Sequence, residues 1–101
     1  MAIRTTTTDE KAIIFIDGRV DVFMCRSFRE TCSQQLQLPG VTCLEIDMSG
    51  IEHFNSSALG VLLVAREQAV KLEKSLQLSN LNEKVSEIIE IANFHRLFSI
   101  V

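Results

Sequence analysis

Between Leu44 and Val64 the sequence LEIDMSGIEHFNSSALGVLLV joins two apolar runs of different period across a polar break, and no other stretch constrains the fold as tightly. Val41 to Ile46 reads as a strand that ends at Asp47, with a loop expected to carry the chain on to the serines. Behind Ser56 and Ser57 a longer apolar run of helical spacing begins. A strand that hands over to a helix in this way is the unit of an α/β domain. Asn55, Ser56 and Ser57 are all good helix N-cap types, and the helix they open presents unpaired backbone N–H groups and a partial positive charge. A phosphoryl group on a serine of that first turn would meet ready donors and would bring about −1.5 to −2 charges at neutral pH. Serines at a helix start also serve simply as caps, and the local pattern allows both uses.

The remaining elements follow from periodicity. Ile3 to Thr8 and the apolar run Ala12 to Asp17, bounded by Gly18, form a predicted β-hairpin across the polar Asp9-Glu10-Lys11. The second run is apolar at both alternations, so it is expected to be covered on both faces. From about Phe23 to Leu38 the residues Cys25, Phe28, Cys32 and Leu36 recur at helical steps, and Pro39-Gly40 closes that helix. A second helix over about Ser57 to Lys74 places Ala58, Val61, Leu62, Ala65, Ala69 and Leu72 on one side and Glu67, Lys71 and Lys74 on the other. Extended toward the helix start, the solvated side has Gly60 near its centre, flanked by Leu63 and Val64. Either another element covers those two apolar residues, or the three form a docking patch. Ser75 to Ser79 is a predicted strand. Asn82 caps a third helix bearing Val85, Ile88, Ile89 and Ala92, and Phe98 to Val101 is a candidate edge strand. The order predicts an α/β domain spanning 1–101, with a mostly parallel sheet, an N-terminal β-hairpin and three to four helices.

Composition narrows the function. With 101 residues, 47% apolar residues and 23% charged ones, the chain has the make-up of one folded domain. A net charge of −3 offers no electrostatic footprint for nucleic acid. Cys25, Cys32 and Cys43 form an odd set without CxxC spacing, so neither a disulfide framework nor a zinc site is expected. MAIRTTTTDEK lacks the apolar core of a signal peptide, and no run has the roughly 18 to 20 apolar residues of a membrane span. A cytoplasmic protein that engages no membrane is expected. The chain holds no GxGxxG, no GxxxxGK[ST] and no HExxH, and His53, although near Ser57, is read as a loop histidine. No enzymatic activity and no cofactor are expected.

The order Asp47, Met48, Ser49, then Phe54, Asn55, Ser56, Ser57, Ala58, Leu59, Gly60 resembles the signature of the STAS domain of anti-sigma factor antagonists, D-x-S, a short spacer and D-S-S-G/A-L-G. Gly18-Arg19-Val20-Asp21 is similar to the G-x-[LIV]-D segment that follows the family's second strand. The resemblance implies that Ser57 is the position a partner kinase phosphorylates, with Asp21 beside it and Asn55 and Ser56 completing the neighbourhood. Here Asn55 replaces the family's usual aspartate, which keeps the capping oxygen and removes a negative charge. The implied partners are an anti-sigma factor that is itself a serine kinase and a PP2C-type phosphatase, with the protein a monomer or weak dimer. The segment Ile91 to Phe98 is similar to the version in antagonists that regulate motility and biofilm switching in Gram-negative bacteria. Two other readings stand beside this one: a receiver-like domain that accepts phosphate on Asp47, and a STAS scaffold module that is not phosphorylated.

Overall fold

The computed structural model describes residues 2–101. Along the chain lie β1 (Ala2–Thr8), β2 (Lys11–Val20), α1 (Val22–Leu36), β3 (Cys43–Phe54), α2 (Ser56–Lys71), β4 (Ser75–Ser79), α3 (Glu83–Ile91), a 3-10 turn (Phe94–Arg96) and β5 (Ser99–Ile100). The strands form one sheet in the order β1-β2-β3-β4-β5. β1 pairs antiparallel with β2, while β3, β4 and β5 each add in parallel. Each parallel step needs a crossover, and α1, α2 and α3 supply them in turn. The expected architecture is therefore present.

The core lies on one face of the sheet. Ala12, Ile14 and Ile16 of β2, Leu44, Ile46 and Met48 of β3 and Leu78 of β4 alternate along their strands and are fully buried. Met24, Phe28, Cys32 and Leu36 of α1 join them in one cluster, as do Ala58, Leu62, Ala65 and Ala69 of α2 and Val85 and Ile89 of α3. Each large side chain removed from water in this way contributes about 1.5 to 3 kcal/mol before conformational entropy is counted. Burial of Cys32 pushes its thiol up to about 12, so it behaves as a small hydrophobe.

The opposite face corrects the expectation that β2 is covered on both sides. Ile13 and Phe15 are only half-buried and sit in a polar setting. The Lys11 Nζ lies 2.6 Å from Glu45 Oε1. Gln77 Nε2 donates to that same oxygen at 2.8 Å, and Ser79 Oγ donates to Oε2 at 2.7 Å. The Arg4 guanidinium stands 5.2 Å from the Phe15 ring centre. β-Branched and aromatic residues suit any pleated surface, so an apolar run alone does not reveal that one side faces charge.

Strand lengths also depart from expectation. β2 continues through Gly18 to Val20, and β3 continues past Asp47 to Phe54, so the supposed loop before the serines is paired strand. The extension carries register shifts between Phe15 and Asp17 and between Gly18 and Arg19, and Gly18 has φ of 90°, a conformation that favours glycine. Both shifts place an additional residue in β3, the second of them Glu52, and Gly18 sits in β2 beside that bulge. α1 starts at Val22 and buries Met24 where Cys25 was expected, leaving Cys25 half-buried. α2 stops at Lys71, so Leu72 is exposed and Lys74 lies outside the helix, donating from Nζ to the carbonyls of Leu36 and, at 2.8 Å, of Leu38. It satisfies the end of α1 with a cation, which suits the negative pole of a helix.

Candidate functional site

α2 opens at Asn55, whose backbone is extended (φ −112°, ψ 179°) and whose Oδ1 accepts from the Ala58 N–H at 3.2 Å. Of the three cap types in the sequence, the asparagine is the cap. Ser56 and Ser57 therefore become the first two residues of the helix, and both are exposed. Among the described residues the Ser57 hydroxyl makes no hydrogen bond, which leaves its oxygen open to chemistry from outside.

A groove of about 440 Å³ runs between α1 and α2. Its α2 wall is Ser57, Gly60, Val61 and Val64, and its α1 wall is Val22, Cys25, Arg26 and Arg29. Both sets follow the spacing i, i+3, i+4, i+7 that lines one side of a helix. Burial first, then the nearby Asp21 carboxylate, raise the Cys25 thiol above its ordinary range. Gly60, Leu63 and Val64 are all exposed, the latter two at 39% and 36%, so among the described residues no element covers these three positions. The groove takes in two of the three, Gly60 and Val64. Val64 follows Ser57 by nearly two helical turns and shares its wall, whereas Leu63 stands in the same relation to Ser56 and is not a groove residue.

Asp21 caps α1, accepting from the Met24 N–H at 3.0 Å. It lines a second depression with Gly18, Arg19, Phe23, Met24 and Glu52 and is not part of the Ser57 groove wall. Phe23, in that depression, is 89% exposed, the most exposed large apolar side chain described. Sequence reading missed it, together with Arg26 and Arg29, because the charged side of an amphipathic helix looks the same whether it faces water or a neighbouring helix.

Asp47, the acceptor of the receiver reading, is only 8% exposed. Its Oδ1 accepts from the Ser49 N–H at 3.0 Å and the Ser49 hydroxyl at 2.7 Å, and its Oδ2 from Asn80 Nδ2 at 2.8 Å. Burial opposes its charge, but these hydrogen bonds and the more distant Arg4 outweigh that and hold the carboxyl below the usual range. The D-x-S pair is thus a local brace in mid-strand. Receiver domains have the strand order 2-1-3-4-5, and this sheet does not. Both observations set the receiver reading aside.

Comparison with known proteins agrees with this geometry. The family model described as Mlab, STAS domain matches residues 3–101. A STAS-domain containing protein of Pseudomonas aeruginosa (strain UCBPP-PA14) is 31% identical over 91 residues, covering 90% of this chain and 88% of that protein. A putative anti-sigma factor antagonist from Thermotoga maritima superposes with a TM-score of 0.87 at 19% identity, over 97% of this chain and 84% of its own. The anti-sigma factor antagonist SpoIIAA in its unphosphorylated form superposes at 0.78 and 16% identity, over 99% and 87%. Its Bacillus phosphorylated form gives the same score and identity over 99% and 91%. The structural likenesses establish a shared fold, and the family match over nearly all of the sequence establishes kinship: the chain belongs to the STAS-domain family.

Proposed function

We propose that the protein is an anti-sigma factor antagonist, a non-enzymatic, cytoplasmic switch whose binding to an anti-sigma factor with serine kinase activity is controlled at Ser57. The observation that carries the reading is the exposed, unengaged Ser57 hydroxyl on the groove wall with Gly60 and Val64. In the kinase complex the Ser57 oxygen forms a bond to the γ-phosphorus of ATP as the bond to ADP breaks, and the hydroxyl proton passes to a base of the kinase. Release follows from electrostatics: a dianion beside Gly60 and Val64 must be desolvated to be buried against a partner. A loss of about 2 to 4 kcal/mol there weakens affinity on the order of 30- to 1,000-fold. A PP2C-type phosphatase resets the switch, and sigma-factor-dependent transcription is its output. The Ile91 to Phe98 segment favours the Gram-negative motility and biofilm type.

Incubation with the cognate kinase and ATP should label wild type and Ser56→Ala but not Ser57→Ala. Label that persists in Ser57→Ala overturns the assignment. The scaffold reading draws support from Asn55, which lacks the charge of the family's usual aspartate. Phosphosite mapping of the protein from its native cells separates the two, since a scaffold module carries no phosphate at Ser57 under any growth condition.

A further inference from the structure

α1 and α2 bring unlike chemistry to the same groove. α2 contributes no charged side chain to its wall, only the Ser57 hydroxyl and the apolar Gly60, Val61 and Val64. α1 contributes two guanidiniums, Arg26 and Arg29, one helical turn apart. Arg26 is held by Glu30, Nε to Oε1 at 3.3 Å, whereas Arg29 forms no ion pair among the described residues. The other acidic group at this end of α1, Asp21, is occupied as the helix cap. A net positive wall therefore faces a serine whose hydroxyl has no hydrogen-bond partner among the described residues.

We propose that Arg29, with Arg26, forms an intramolecular receptor for a phosphoryl group on Ser57, so that modification closes the α1–α2 groove with a charge-assisted bridge. This deepens the proposed function and rests on Ser57 as the modified residue. Phosphate oxygens and a guanidinium fork match in geometry and charge, and a phosphorylated side chain opposite an arginine cluster gains such contacts. Arg26 is free to exchange Glu30 for the phosphoryl group, because an exposed i,i+4 pair of this kind is weak. The bridge adds a second consequence to simple repulsion. Gly60 and Val64, open to a partner in the unmodified protein, come to lie beneath a cross-groove ion pair.

The test installs phosphoserine during synthesis, at position 57 or at position 56, and follows the phosphate by ³¹P NMR as pH is varied at low ionic strength. The facing titratable groups are the Cys25 thiol on the α1 wall and, beyond it, Asp21 and Glu30; Arg26→Gln also frees Glu30, so Arg29→Gln alone, which leaves the Arg26–Glu30 pair in place, should shift the titration in the same direction. Phosphoserine at 57 should bind its second proton about threefold more weakly in the wild-type background than in Arg26→Gln/Arg29→Gln, as expected for a dianion that shares its groove with two cations. Arg29→Lys, which keeps the charge, should retain most of the difference. Phosphoserine at 56, on the outer side of the helix, should titrate alike in both backgrounds. Equal titration of phosphoserine 57 with and without the arginines overturns the receptor, as does an equal response at position 56. Both arginines are exposed, and matching spectra of the unmodified proteins confirm the fold. Because the phosphate is built in, failure here leaves kinase labelling of Ser57 standing. Failure of that labelling leaves this result standing.

Discussion

Asn55 fixes where Ser57 sits through a single acceptor oxygen. Asn55→Ala removes the cap and should lower stability by about 1 kcal/mol, which for a domain of this size is roughly 4 to 8 °C in melting temperature. Asn55→Asp keeps an oxygen in place and should melt within about 2 °C of wild type, while changing the rate at which Ser57 is phosphorylated or dephosphorylated. Calorimetry combined with a kinase assay checks both, and a large melting shift with unchanged rates would reduce Asn55 to a structural role. Gly50 is constrained differently. A Cβ there would collide with the Asp17 carboxylate and stand 3.1 Å from the Ile16 carbonyl oxygen, so Gly50→Ala should force Asp17 away from Arg4 and destabilise the β2–β3 extension. Denaturant unfolding measures that loss. At this scale the sequence shows which residues are able to cap, because the chemistry of the side chain decides it. It does not show which one caps, because that depends on where the backbone turns from extended to helical.

Elements were legible where one face alone meets the core. α3 carries Val85 and Ile89 inward and starts at Asn82, whose Oδ1 accepts from the Val85 N–H while its Nδ2 donates to the Ile51 carbonyl at 2.7 Å. Its helical period and cap were both readable. The bond to Ile51 was not, since it depends on β3 running well past Asp47. α2 was legible on its buried side, and its exposed apolar residues were found but not sorted. The groove sorts them, because Val64 shares a wall with Ser57 while Leu63 lies in line with Ser56. If the partner docks in the groove, Val64→Asp should weaken binding on the order of 30- to 1,000-fold, as expected for burying an unpaired carboxylate. Leu63→Asp should do clearly less. Calorimetric titration against the partner kinase compares them directly, and equal losses would move the docking surface to the outer side of the helix. Both positions are partly exposed, so neither variant should disturb the fold.

The whole molecule is a sheet with one apolar face under helices and one face held by polar contacts, and only the first was written in the hydrophobic pattern. The second depends on pairing across strands: Glu45 faces Ile13 on one side and Gln77 on the other, a register that no local window contains. That network makes a prediction about acid. The Lys11 ammonium hydrogen-bonds Glu45 and, despite the opposing effect of burial, holds its carboxyl below the ordinary range together with Ser79 and Gln77. Asp47 is held low as well, against burial, by Ser49 and Asn80. A carboxyl with a lower pKa in the folded state than in the unfolded chain contributes stability that is complete above its unfolded value, near 4, and is lost as pH falls through the folded one. The urea midpoint should therefore vary little between about pH 6 and 8 on account of these groups and decline below about pH 4.5. Glu45→Gln and Asp47→Asn should each be less stable than wild type at pH 7. Each should also show a shallower acid decline, because one carboxylate no longer takes up a proton on unfolding. The double variant should flatten the decline further, in an additive way if the two carboxylates act independently across the sheet. If Asp47→Asn lowers the midpoint at pH 7 but follows the wild-type acid slope, its hydrogen bonds matter to the β3 brace and its charge does not.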